Sequence, residues 1–229
     1  MESRKVLLFD IDATLLKTGW AGLRALDRVF DRLYGVPEAT KGIRPAGKTD
    51  PLIIREMVAR CRPDLDPDRE IPRVAELYVE YLAEEVEISP GFRVMPGVPE
   101  LLEALSRIPH LVLGLATGNL EQGAYIKLQR AGLRSYFSFG GFGSDSENRT
   151  ELVLAAIRRA KKHLKEEVPL DSVYVIGDTP RDILHGKEAG ARTVAVATGG
   201  SDVEELGRYD PDFLFEDFSS TSRVVEIFL

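Results

Sequence analysis

The sequence predicts an α/β fold: a parallel sheet built from both ends of the chain, interrupted by an inserted helical segment. Three observations point to it. An apolar run at residues 6–9 (VLLF) reads as a strand buried on both faces. No convincing strand occurs in residues 17–91, where apolar residues recur at helical spacing. Beyond residue 92, apolar runs alternate with amphipathic stretches, the pattern of βαβ units. Residues 1–16 and 92–229 are therefore assigned to an α/β core and residues 17–91 to a small helical domain.

Each element has its own signal. Leu23, Leu26, Phe30 and Leu33 repeat at steps of three and four, as one helix face requires. Val74, Leu77, Tyr78, Tyr81, Leu82 and Val86 do the same further on. "TDPLIIREMVARC" between them reads as a third helix, capped near Thr49 or Asp50. Gly91, Pro96, Gly97 and Pro99 mark a hinge. The strands expected after it are "HLVLGLAT", "YFSFGGFG", "SVYVIGD", "RTVAVAT" and "DFLF", with helices such as "LVLAAIRRAKKHL" between them. "FSSTSRVVEIFL" reads as a closing helix packed on the sheet. Trp20, just after the first motif, is assigned to the core of the helical domain, with the wall of a cleft as the alternative.

Composition narrows the class. Of 229 residues, 44% are hydrophobic, enough for a sizeable core. Thirty basic against 37 acidic residues give a net charge of −7, which disfavours nucleic acid as the main partner. The single cysteine, Cys61, allows no internal disulfide and suits a reducing compartment. No run of about 18 apolar residues is present to suggest a membrane span. The expectation is a soluble, cytoplasmic protein with no nucleic-acid or membrane partner; the oligomeric state is not legible.

Ligands of open α/β sheets bind at the carboxyl ends of the strands. Polar clusters fall at such ends. Asp10 and Asp12 follow the first strand; they are either turn residues or a nucleophile with its proton-handling partner. Thr117, Gly118 and Asn119 follow "LVLGLA" and offer a hydroxyl and backbone N–H groups for an anion, or merely a helix cap. Asn148 and Glu151 fit a capping box, and Arg149 beside them suits a phosphate or a solvated first turn. Asp178 ends a strong strand and Asp182 lies four residues on, where it also suits a cap with Thr179. Gathered at one sheet edge, Asp10, Asp12, Asp178 and Asp182 make an all-oxygen site for a hard divalent ion, with Mg²⁺ the first choice. With Thr117 and Arg149 covering phosphoryl oxygens, the set points to phosphoryl transfer. His110, His163 and His185 show no ligand spacing.

With these residues assembled, the chain resembles the haloacid dehalogenase superfamily of hydrolases, and most of all its phosphoglycolate phosphatase-like members with a small helical C1-type cap. The resemblance rests on "DIDAT" (Asp10, Asp12, Thr14), "ATGN" (Thr117), Arg149 and "GDTPRD" (Asp178, Asp182), and spans nearly the whole chain. It implies a Rossmann-like three-layer core, and hydrolysis of a small phosphorylated metabolite with Mg²⁺. Asp10 would attack phosphorus to form an aspartyl-phosphate. Asp12 would protonate the leaving group and then activate water. Asp10, the backbone carbonyl of Asp12, and Asp178 would hold the metal, supported by Asp182. "RPAGKTD" matches the family's cap loop, so Lys48, Thr49 and Arg44 are candidates to touch the leaving group; Lys48 as a surface lysine is the alternative.

Two departures stand out. The family usually has Gly where this chain has Ala13, for which an ordinary conformation is expected. The third-motif cation is often Lys; here it is Arg149, with Lys161 and Lys162 as rivals more than two turns further on. Asp12 disfavours a dehalogenase, which attacks carbon without such an acid, and equally a phosphonate-cleaving relative. A hexose-phosphate mutase shares both aspartates and stays open. A non-catalytic phospho-receiver or binding module would be shorter and lack the insertion.

Overall fold

The structure, a computed structural model, describes residues 4–229; residues 1–3 of the assigned core lie outside it. Its centre is a six-stranded parallel sheet in the order β5-β4-β1-β6-β7-β8. The strands are β1 (Lys5–Phe9), β4 (Leu111–Ala116), β5 (Gly140–Gly141), β6 (Val173–Gly177), β7 (Arg192–Val196) and β8 (Phe213–Phe215). All five expected strands of the C-terminal region form.

Alternation along β1 builds the layers, because successive side chains leave a strand on opposite faces. Leu7 and Phe9 join one apolar cluster with Leu113, Leu115, Tyr174 and Ile176. Helices α4 (Val98–Ser106), α5 (Glu121–Arg130) and α9 (Thr221–Glu226) contribute Leu101, Leu105, Leu128 and Val224 to it. Val6 and Leu8 join the opposite cluster with Val173, Val175 and residues of α6 (Arg149–Leu164). Helices α7 (Pro180–Glu188) and α8 (Val203–Gly207) cover β7 through Ile183, Leu206 and Ala195. A sheet buried on both faces explains why its strands read as unbroken apolar runs.

Helices α1 (Ala21–Tyr34), α2 (Asp50–Cys61) and α3 (Pro67–Ile88) have an apolar cluster of their own. It contains Leu26, Phe30, Ile54, Met57, Tyr78 and Leu82. Leu120, from the loop before α5, enters the same cluster.

Two short strands missed in the sequence, β2 (Leu16–Thr18) and β3 (Phe92–Val94), pair antiparallel and join the helices to the sheet. Glycines let these connections approach: a Cβ on Gly19 would lie 2.6 Å from the Cα of Gly91. Trp20 departs from its assignment to a core. It is 69% exposed, at a left-handed φ of 67° just before α1. No helix among the described residues is long and apolar enough to cross a membrane.

Candidate active site

The three central strands β4, β1 and β6 are neighbours, so Thr117, Asp10 and Asp178 leave the sheet side by side. Asp182 joins them from the first turn of α7. One carboxylate oxygen from each of Asp10, Asp178 and Asp182 lies within 4.8 Å of the others, and all three residues are buried. Arg149 is buried with them. Its guanidinium donates to Asp182 Oδ1 and lies 3.9 Å from Asp10 Oδ1. The Thr14 hydroxyl donates to Asp178 Oδ1 (2.9 Å). The backbone N–H and the hydroxyl of Thr179 donate to Asp182 Oδ2 (3.0 and 2.6 Å), so Asp182 caps its helix and serves the cluster together.

Three carboxylates against one guanidinium leave a formal charge of −2 in a buried place. The strain shows in the acidities. Burial, then the charge of Asp182, pushes Asp10 up to about 7 despite the opposing pull of Arg149. Burial, then Asp182 and Asp10, drives Asp178 well above its usual range. A hard divalent cation removes this excess charge, and an all-oxygen donor set suits Mg²⁺. The residues present therefore fit the metal.

Among the described residues, the side-chain cluster gathers Asp10, Asp178 and Asp182, while Asp12, for which the resemblance implies a backbone-carbonyl ligand, lies beside it. The carboxylate of Asp12 is turned away to Lys127, whose Nζ donates to both of its oxygens (2.9 and 2.7 Å). Asn119 Nδ2 donates to Asp12 Oδ2 (2.8 Å) and to Thr117 Oγ1 (2.7 Å), while its own oxygen accepts from Lys127. Lys127 was absent from the sequence-based candidates. It lies on the buried face of α5 with Ala124 and Leu128, so a lysine within an apolar stripe was the available signal.

The loop matched to the family's cap loop meets the strand-end loop closely. The Asp50 N–H donates to the Gly118 carbonyl (2.7 Å), and the Leu120 N–H donates back to Asp50 Oδ2 (2.9 Å). A Cβ on Gly118 would lie 2.4 Å from the Lys48 carbonyl oxygen, so only glycine fits there. Burial raises Asp50 to about 6, partly opposed by Lys127 and the Leu120 N–H. Of the residues expected to touch a leaving group, Lys48 pairs with Glu56 (2.5 Å). Thr49 is fully buried as the cap of α2, accepting from the Leu52 N–H (3.4 Å). Arg44 is exposed. Arg55 holds Glu147 by two nitrogens (2.8 to 3.1 Å), a further tie between the helical insertion and the core.

Ala13 contradicts its expected conformation: its φ is 64°. The turn imposes this. The Ala13 N–H donates to the Leu16 carbonyl (2.7 Å), and the Leu15 N–H to the Ile11 carbonyl (2.9 Å). The Ala13 carbonyl accepts the Thr198 hydroxyl (2.6 Å). The capping box at Asn148 is only half made. Asn148 accepts from the Thr150 N–H (2.8 Å), but its own N–H goes to Ser146 Oγ (3.1 Å), not to Glu151. Lys161 pairs with Glu167 and Lys162 is exposed, so neither rival joins the cluster.

Comparison with known proteins agrees with this geometry. The haloacid dehalogenase-like hydrolase family profile matches residues 7–196. A phosphoglycolate phosphatase of Synechococcus elongatus is 33% identical over 138 residues, 59% of this chain and 61% of that protein. One from Vibrio cholerae is 24% identical over 98% of both chains. Among solved structures, a predicted phosphoglycolate phosphatase from Haemophilus somnus 129pt superposes with a TM-score of 0.72 at 19% identity, covering 98% of this chain and 99% of that one. Buried aspartates at adjoining strand ends, their arginine and the match over most of the length lead to one conclusion: the chain belongs to the haloacid dehalogenase-like hydrolases.

Proposed function

We propose that this enzyme hydrolyses a small phosphate monoester, of the phosphoglycolate kind, through an aspartyl-phosphate on Asp10 and with Mg²⁺ as cofactor. One observation carries the reading. Asp10 stands in a carboxylate cluster short of positive charge, while Asp12, two residues on, is held outside it on separate partners. The two aspartates are thereby given different tasks.

Asp10 Oδ attacks phosphorus as the bond to the ester oxygen breaks. Asp12 gives its proton to that leaving oxygen. In the second half, Asp12 takes a proton from water, whose oxygen displaces Asp10 from phosphorus and restores the free carboxylate. Thr117 Oγ1 accepts two N–H donors, which leaves its proton for a phosphoryl oxygen. Arg149 stands beside Asp10 with charge for another. Asp10, Asp178 and Asp182, with the Asp12 carbonyl by family analogy, would hold Mg²⁺, which when bound offsets the negative charge of carboxylates and phosphoryl group. The helical insertion serves as the cap over this site, and the domain division at residues 16/17 and 91/92 belongs to the same proposal. The phosphatase names of the relatives support this choice over a hexose-phosphate mutase.

Turnover of p-nitrophenyl phosphate and of a panel of monoesters, with and without Mg²⁺, tests the reading. Wild-type activity is expected to need Mg²⁺ and to vanish in Asp10→Asn. Unimpaired turnover by Asp10→Asn overturns it.

A further inference from the structure

The proton transfers proposed for Asp12 require its carboxylate to be aimed. Its side chain is 46% exposed, and an exposed carboxylate ordinarily samples several rotamers. An ion pair to an equally exposed lysine would restrain it little. Here the partner is different. The Lys127 side chain is 5% exposed, rooted in α5, and its ammonium meets both Asp12 oxygens and the Asn119 carbonyl oxygen.

Ala124 and Leu128 carry the same buried helix face into the apolar core, whereas the head group of Lys127 between them ends on polar partners alone. Burying an ammonium group is costly unless it is paired and hydrogen-bonded. Asn119 completes the arrangement by bridging Asp12 and Thr117 through one amide nitrogen. Burial opposes the charge of Lys127, but Asp12, Asp50 and Asp10 together outweigh it and hold the ammonium charged.

We infer that Lys127, seated through Asn119, is a positioning residue that fixes the Asp12 carboxylate toward the leaving-group oxygen. The inference rests on Asp12 acting as the acid and base proposed above. Its signature is selective. An alkyl leaving group needs Asp12's proton; p-nitrophenolate departs without one. Misplacing the acid therefore harms alkyl esters most.

The experiment compares wild type, Lys127→Met, Asp12→Asn and the double variant on p-nitrophenyl phosphate and 2-phosphoglycolate with Mg²⁺, each variant's fold checked by circular dichroism. If the wild type does not turn over 2-phosphoglycolate, the best alkyl monoester of the panel takes its place. Lys127→Met is expected to lower kcat on the alkyl ester about 100-fold, the scale of a misplaced catalytic group. On the aryl ester the loss is expected to be about tenfold or less, with KM within about twofold on both. The double variant should be no worse than Asp12→Asn alone, because the residues act as one unit. Equal losses on both esters, or additive losses in the double variant, overturn the inference. If the methionine variant does not fold, Lys127→Gln, which removes the ammonium but leaves a polar group in the site, carries the same comparison with the same expected selectivity for the alkyl ester. A wild type inert on every monoester instead overturns the functional reading itself, and this inference falls with it.

Discussion

Ala13 carries backbone strain at the heart of the first motif. A left-handed alanine costs about 1 kcal/mol, and the hydrogen bonds of its turn hold it there. Ala13→Gly is expected to stabilise the fold by up to about 1 kcal/mol, less what glycine's freer unfolded state takes back; thermal or urea unfolding measures it. Lower stability in the glycine variant would mean the turn is not strained. The contrast between Ala13 and Asp10 shows what single residues reveal. Asp10 and Asp178 were legible because charge at the end of a buried strand needs a reason. The strain at Ala13 was not, since it arises from a turn closed partly by Thr198, 185 residues away. Lys127 was obscured for a related reason: its partners lie in other segments, and helical periodicity treats a lysine as surface.

At the scale of elements, the joint between α2 and the loop before α5 is the sensitive one. Asp50 sits buried there, bonded to the Leu120 N–H and within the field of Lys127. Its carboxyl titrates at about 6 in the folded chain against 3.8 when free, because burial disfavours the anion. The folded state thus holds the proton more tightly than the unfolded state between those values. This group's contribution to stability is full below the lower value and is lost as pH rises through the upper one. Asp50→Asn keeps an acceptor for Leu120 and does not titrate. Its melting temperature is expected to fall less than that of the wild type between pH 4 and pH 7. Parallel melting curves would show that Asp50 does not titrate in this window. The helices on either side were legible from their apolar spacing. The β2 and β3 strands were not: at three residues each they are too short for a period-two pattern, and glycines flank them.

For the whole molecule, topology does the assembling. The strand order places β4, β1 and β6 together, so motifs more than 100 residues apart in the chain open on one edge. Alternating apolar runs and helices were enough to foresee the sheet and its site edge. They did not reveal that Asp12 would leave the carboxylate group for Lys127, because that depends on how α5 is set against β1. The chain's net charge of −7 is spread over its length, whereas the functional excess is local: three buried carboxylates offset by one arginine. The account therefore stands on that deficit of positive charge, and calorimetric titration with Mg²⁺ measures it most directly. The wild type is expected to bind one Mg²⁺ per chain, and Asp178→Asn, folded by circular dichroism, to lose that binding. Unchanged Mg²⁺ binding by Asp178→Asn would contradict the account.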